Sequence, residues 1–228
     1  MDFQKLADLY QELEQTSSGN KMREILAEFF KKVPEDDIAV ISYLTLGQIA
    51  SSYEGLVLGM AEKSALKAIS KAAGVDESKV KKTMQESGDA GVTAEKLLQK
   101  KLQTLVPPGK LTVKELFEKL HKITKTVGAG SQEEKINIVI NLLQKSSSKG
   151  AKYIIRIVLG TLRIGVADMT VLDALAMAYT GSKENKAQLE KAYNICPDVG
   201  IIAETLAKKG LKGIEKIDVH VGRPIKMM

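Results

Sequence analysis

The sequence predicts an all-α protein: two similar multi-helix lobes with an approximate internal twofold, then a short C-terminal strand or linker. Three observations lead there. Apolar residues recur at the three- and four-residue steps of a helix over nearly the whole chain. Only Ile217-Asp218-Val219-His220-Val221 alternates with the two-residue period of a strand. Several segments of the first half return in the second, in the same order and at nearly the same spacing.

The elements follow in chain order. Phe3, Leu6, Leu9, Tyr10 and Leu13 share one face of a helix over 3–15, and Met22, Ile25, Leu26 and Phe29 do the same over 21–31. Pro34 stops or redirects the chain. Further helices are expected over 37–45, 64–73, 77–86 and 93–104. Pro107-Pro108-Gly109 breaks the chain, because two fixed φ angles precede a permissive residue. Beyond it, helices are expected over 112–126, 132–146, 150–160, 170–179, 183–193, 199–209 and 211–216. Thr112 and Thr170 have the hydroxyl that satisfies an orphan amide at a helix start.

The repeat is visible in two places. Leu56-Val57-Leu58-Gly59-Met60-Ala61-Glu62 aligns with Leu162-Arg163-Ile164-Gly165-Val166-Ala167-Asp168, and Asp89-Ala90-Gly91 aligns with Asp198-Val199-Gly200. The offsets are 106 and 109 residues. A helical domain over 1–216 is therefore expected to contain duplicated halves, about 1–108 and 109–216. In the first block Val57 stands where the second has Arg163.

Composition narrows the function. There are four Phe, six Tyr and no Trp, so aliphatic side chains must fill the core. The apolar stretch near Ile154 is interrupted by Arg156, Gly160 and Arg163, which argues against a membrane span. Cys196 is the single cysteine, and the N-terminus carries no signal pattern; an intracellular, cytoplasmic setting and a monomer are expected. Between Lys100 and Arg163, 13 Lys and Arg face four acids, a local balance of +9. The remainder carries −3. Such asymmetry attracts phosphate backbones or anionic surfaces.

Catalytic patterns are poor. His121 and His220 belong to no metal-ligand array, Cys196 has no activating partner in sequence, and no glycine cluster forms a phosphate-binding loop after a strand. No catalytic residue, metal or cofactor is assigned to the chain. Anion binding has better support. Gly128-Ala129-Gly130-Ser131-Gln132 precedes a long helix with Lys135 in its opening turns, and a helix start offers unpaired amides and partial positive potential. Ser146-Ser147-Ser148-Lys149-Gly150 opens a second helix, on which Lys149, Lys152 and Arg156 can line one side, with Arg163 just beyond. Gly88-Asp89-Ala90-Gly91-Val92-Thr93 is a third, with Thr93 as a cap or phosphate donor and Asp89 tolerable only as a brace of the turn. Together these loops point to a grip on the phosphate backbone rather than to base reading. A helical protein-interaction scaffold without DNA binding is the alternative.

At these residues the sequence resembles the N-terminal DNA-binding domain of archaeal-type ATP-dependent DNA ligases. The resemblance is carried by GDAGVTAEKL at 88–97, GAGSQEEK at 128–135, KYIIRIVLGTLRIGVADMTVLDALA at 152–176 and VGRPIKMM at 221–228. It implies a two-lobed, non-catalytic helical domain that holds nicked double-stranded DNA, mainly through the minor groove and without sequence preference. By motif position, Thr93, Gly130, Ser131, Gln132, Lys135, Lys149, Lys152, Arg156 and Arg163 would contact DNA. The full-length parent would use ATP and Mg2+ to seal 3′-hydroxyl/5′-phosphate nicks in replication, repair and recombination, in a nucleoid-associated setting. Adenylation and oligonucleotide-binding-fold domains would be its partners. Residues 217–228 would be a linker or the start of that nucleotidyltransferase domain. The Lys-x-Asp-Gly motif of the family's catalytic lysine does not occur here.

Overall fold

The computed structural model describes residues 1–99, 110–182, 184–219 and 222–226. The described residues are helical, with no named strand; the one β-bridge joins Asp2 to Thr112. The helices are α1 (Phe3–Glu14), α2 (Gly19–Phe30), α3 (Ile38–Thr45), α4 (Glu62–Ala73), α5 (Glu77–Ser87) and α6 (Ala90–Gln99). Then come α7 (Val113–Lys125), α8 (Ser131–Lys145), α9 (Ser148–Val158), α10 (Asp168–Thr180), α11 (Lys186–Ile195) and α12 (Val199–Ile214). Single 3-10 turns occupy Glu35–Asp37 and Ser52–Glu54.

The starts are set by local chemistry. Ser18, Thr112, Ser147 and Asp198 each accept a hydrogen bond from an amide in the first turn that follows. Thr170 is not a cap: α10 begins two residues earlier, behind Ala167, because Thr170 donates its amide to the Ala167 carbonyl. The expected break between 199–209 and 211–216 is a kink inside α12, where Gly210 adopts φ 60° and ψ −163°. Ile217–Val219 form no strand, since no second strand is beside them among the described residues. His220 and Val221, like Pro107-Pro108-Gly109, lie outside the described residues.

The chain divides into two compact units, and neither is a sequence half. One consists of Met1, Leu9–Leu56 and Arg163–Met228, the other of Asp2–Asp8 and Val57–Leu162. In the first unit α2 packs on α10 and α3 on α12, while α10, α11 and α12 pack on one another. Its buried residues include Leu26, Phe30, Ile41, Leu44, Leu172, Leu175, Ile202 and Leu206. In the second, α8 packs on α4 and α9 on α6, while α4, α5 and α6 pack on one another and α7 covers α8. Its buried residues include Ala65, Ile69, Leu116, Leu120, Val139, Leu142, Ile154 and Ile155. Each fully buried Leu or Ile contributes roughly 1.5–3 kcal/mol relative to exposure. The chain passes between units at 1/2 and 8/9 near its N-terminus, and again at 56/57 and 162/163, inside the two repeated blocks. No helix among the described residues is long and apolar enough to cross a membrane.

Candidate nucleic-acid interface

In the second unit, α8 starts behind a glycine loop. Gly128 and Gly130 take φ 94° and 79°, the left-handed region that disfavours larger residues. Gly130 is the N-cap and has no side chain to offer, so no side-chain acceptor occupies the first-turn amides. Gly130 and Gln132 are exposed and Ser131 is half-buried. Lys135 sits one turn further and is 9% exposed. Its ammonium donates to the Leu58 carbonyl at 3.5 Å, and Gly59 packs over it. Among the described residues no carboxylate pairs with it. Glu133 and Glu134, in the same first turn, are neutralised: Glu133 by Lys67 at 3.0 Å and Lys71 at 2.5 Å, Glu134 by Lys122 at 3.0 Å. The two lysines hold the Glu133 carboxyl below its ordinary range. Two cations on one acid leave a positive surplus beside the helix start.

The α6 start is built differently. Asp89 accepts from the Val92 amide at 2.8 Å and pairs with the Arg156 guanidinium at 3.2 Å. Burial alone would raise the Asp89 carboxyl; the Val92 amide and Arg156 outweigh it and hold the group below its ordinary range. Gly91 lets α9 approach closely, since a Cβ there would lie 2.6 Å from the Lys152 carbonyl oxygen. Thr93 is fully buried, and its hydroxyl bonds the Asp89 carbonyl at 3.0 Å and lies 2.9 Å from the Ser87 hydroxyl. Thr93 therefore braces the turn from inside and offers no outward donor. Asp89 braces the turn, the one role in which the sequence left it tolerable at this loop.

The α9 helix is a core helix rather than one with a basic outer side. Residues 153–158 are buried, Arg156 included at 6% exposure. Arg156 meets Asp89 because a buried guanidinium needs a carboxylate. Lys149 pairs with Asp8 at 2.7 Å, and the Lys152 ammonium lies 5.2 Å from the Tyr153 ring centroid. Ser147 caps the Gly150 amide at 2.9 Å, so this start is already occupied. No described contact joins Lys149 or Lys152 to Lys135.

In the first unit, Arg163 stands apart. It is exposed, makes no ion pair or hydrogen bond among the described residues, and has φ 53°. It is the one non-glycine at positive φ among them. The acids that could have paired with it are used elsewhere: Asp173 holds Arg23 and Lys186, and Asp168 accepts from Tyr193. The same unit repeats the Asp-x-Gly brace. Asp198 caps Ile201 and accepts from the Tyr43 hydroxyl at 2.5 Å, while Gly200 leaves room for the Tyr43 ring. Burial and the Asp198 charge push the Tyr43 phenol up. The Asp198-x-Gly200 spacing signalled this second brace; nothing in the sequence singled out Tyr43, Lys67 or Lys71.

Fold and surface thus define a class: an all-helical module with an uncapped helix start beside a surplus of lysines in one unit, and in the other an exposed arginine at positive φ with no partner among the described residues. Comparison with known proteins makes this specific. The chain matches the family described as DNA ligase N terminus over residues 2–176. It is 41% identical over its full length to a probable DNA ligase of Persephonella marina, of which it covers 39%. It is 43% identical to DNA ligase 2 of Thermofilum pendens over 99% of the chain, and 41% identical to a DNA ligase of Nitrosopumilus maritimus over all of it, in each case covering 39% of the relative. The chain belongs to the DNA ligase N-terminal family. It spans about two-fifths of the length of these relatives.

Proposed function

We propose that this chain is the non-catalytic module that holds nicked duplex DNA, without sequence preference and chiefly across the minor groove, for an ATP-dependent ligase sealing 3′-hydroxyl/5′-phosphate nicks. Family membership supports a DNA-binding role in general. The observation that carries the reading is Arg163: an exposed guanidinium with no partner among the described residues, on a backbone conformation that costs a non-glycine residue about 1 kcal/mol or more. Strain of that kind persists where function requires the side chain's direction. Gly130, Ser131, Gln132 and Lys135 supply the corresponding contacts of the other unit, through open amides and one ammonium. Lys149 and Lys152 add positive potential rather than free donors, and Arg156 and Thr93 act by holding α6 against α9.

ATP and Mg2+ belong to the proposed parent reaction. Among the described residues no group of three or more His, Cys, Asp or Glu is gathered to hold a metal. The adenylation and oligonucleotide-binding-fold domains would carry the chemistry. The matching helix pairings of the two units, α4 on α8 and α10 on α2, α6 on α9 and α12 on α3, support duplicated halves that exchange their second parts.

Salt titration of binding to nicked and intact duplexes tests the reading. The wild-type chain should bind both, with a modest preference for the nick. Its log affinity should fall linearly with log salt. Arg163→Ala should lower that slope by about one, the contribution of one phosphate contact. Absence of duplex binding at low salt would instead favour a protein-interaction scaffold.

A further inference from the structure

The two most exposed large apolar side chains among the described residues are Val127, 82% exposed, and Val57, 74% exposed. Both belong to the second unit. Val127 sits at the head of the glycine loop, one residue before Gly128 and four before Ser131 at the α8 start. Val57 precedes Leu58 and Gly59, the backbone against which the Lys135 ammonium rests at 3.5 Å from the Leu58 carbonyl. The sequence thus presents two branched apolar groups to solvent on the two segments that flank one cationic helix start. Val57 is also the aligned counterpart of Arg163, and both positions point outward. Its exposure shows that the apolar residue of this pair is not spent on the core.

Resting on the reading above, we infer that Val127 and Val57 pack against the deoxyribose faces of the duplex whose phosphate is held at the α8 start. Charge complementarity selects this occupant. Lys125, exposed and in no ion pair among the described residues, lies two residues before Val127, and the open α8 amides and Lys135 lie just after it. A backbone phosphate drawn to these groups brings its own sugars with it, and sugar carbons are the apolar surface nearest to any phosphate. Valine buried there removes apolar area from water without adding a counterion-releasing contact. It therefore adds affinity that salt does not modulate.

Val127→Thr and Val57→Thr in the 228-residue chain keep the branched shape at exposed positions where the fold is not at stake. Circular dichroism should be unchanged for both. Duplex affinity, measured across a salt series, should fall about three- to fivefold for each variant at every salt concentration, with the log–log slope unaltered. Wild-type binding with variants of equal affinity would overturn the sugar-packing assignment and leave the phosphate reading standing. A reduced slope in the variants would also overturn it, because the valines would then act by placing phosphate ligands. Failure of the wild-type chain to bind any duplex would remove the underlying reading and this inference with it.

Discussion

Lys135 shows how a residue's surroundings reveal what it is for. Its aligned neighbourhood in the other unit has Met22, whose terminal methyl lies 3.0 Å from the Cβ position of Gly165, as the Lys135 ammonium lies 3.6 Å from that of Gly59. Gly59 and Gly165 are aligned residues of the repeat. One unit therefore fills this place with a thioether and the other with a buried cation that meets a single carbonyl. A buried ammonium without a carboxylate costs stability, so its presence needs another reason. Lys135→Met should raise thermal stability, by about 1 kcal/mol, while lowering the salt slope of duplex binding by about one. Calorimetry and a salt titration on the same preparation check both signs. A variant less stable than wild type would make Lys135 a structural residue. Arg156 is the opposite case. Its guanidinium is equally buried but is answered by Asp89, so its charge is consumed inside the unit.

At the scale of elements, the Asp-x-Gly brace explains why α6 meets α9 and α12 meets α3 so closely. The aspartate satisfies a first-turn amide and holds a side chain from the facing helix: Arg156 in one case, Tyr43 in the other. The glycine two residues later removes the Cβ that would keep the helices apart. Gly91→Ala should destabilise the chain by about 1–3 kcal/mol, because the obstacle is the Lys152 backbone carbonyl, which cannot rotate away. Urea unfolding gives the value directly. A change below about 0.5 kcal/mol would show that α9 moves freely relative to α6. Helix starts also sort themselves. Those of α9 and α6 are closed by Ser147 and Asp89, whereas α8, with Gly130 as its cap residue, has no side-chain cap.

For the whole molecule, the consequence lies in how the chain is shared. Each compact unit takes helices from both sequence halves, so α4 and α6 have their partners α8 and α9 on the far side of Pro107-Pro108-Gly109 in the sequence. A chain cut into 1–108 and 109–228 should lose most of its helical circular dichroism in each piece, because neither can bury its apolar faces. Mixing the pieces should restore it. Independent folding of either piece would contradict the partition.

The helical class, most helix positions, the break at Gly210 inside α12, the Thr112 cap and the family resemblance were legible in the residues alone. These depend on local periodicity, backbone restriction and ordered motifs, all of which are written in neighbouring residues. The sequence also singled out the loop-to-helix entries at 88–93 and 128–135. Which cations are already answered by a neighbour depends on the packing of distant elements. Arg156, Lys149 and Lys152 read as one basic side, yet Asp89, Asp8 and the Tyr153 ring are their neighbours. Thr93 read as a cap or phosphate donor and is buried. The reason is physical: a side chain's burial and its counter-charge come from elements far away along the chain, 141 residues for Lys149 and Asp8 and 150 for Arg23 and Asp173. Local sequence sets a helical face but does not name the segment that will cover it.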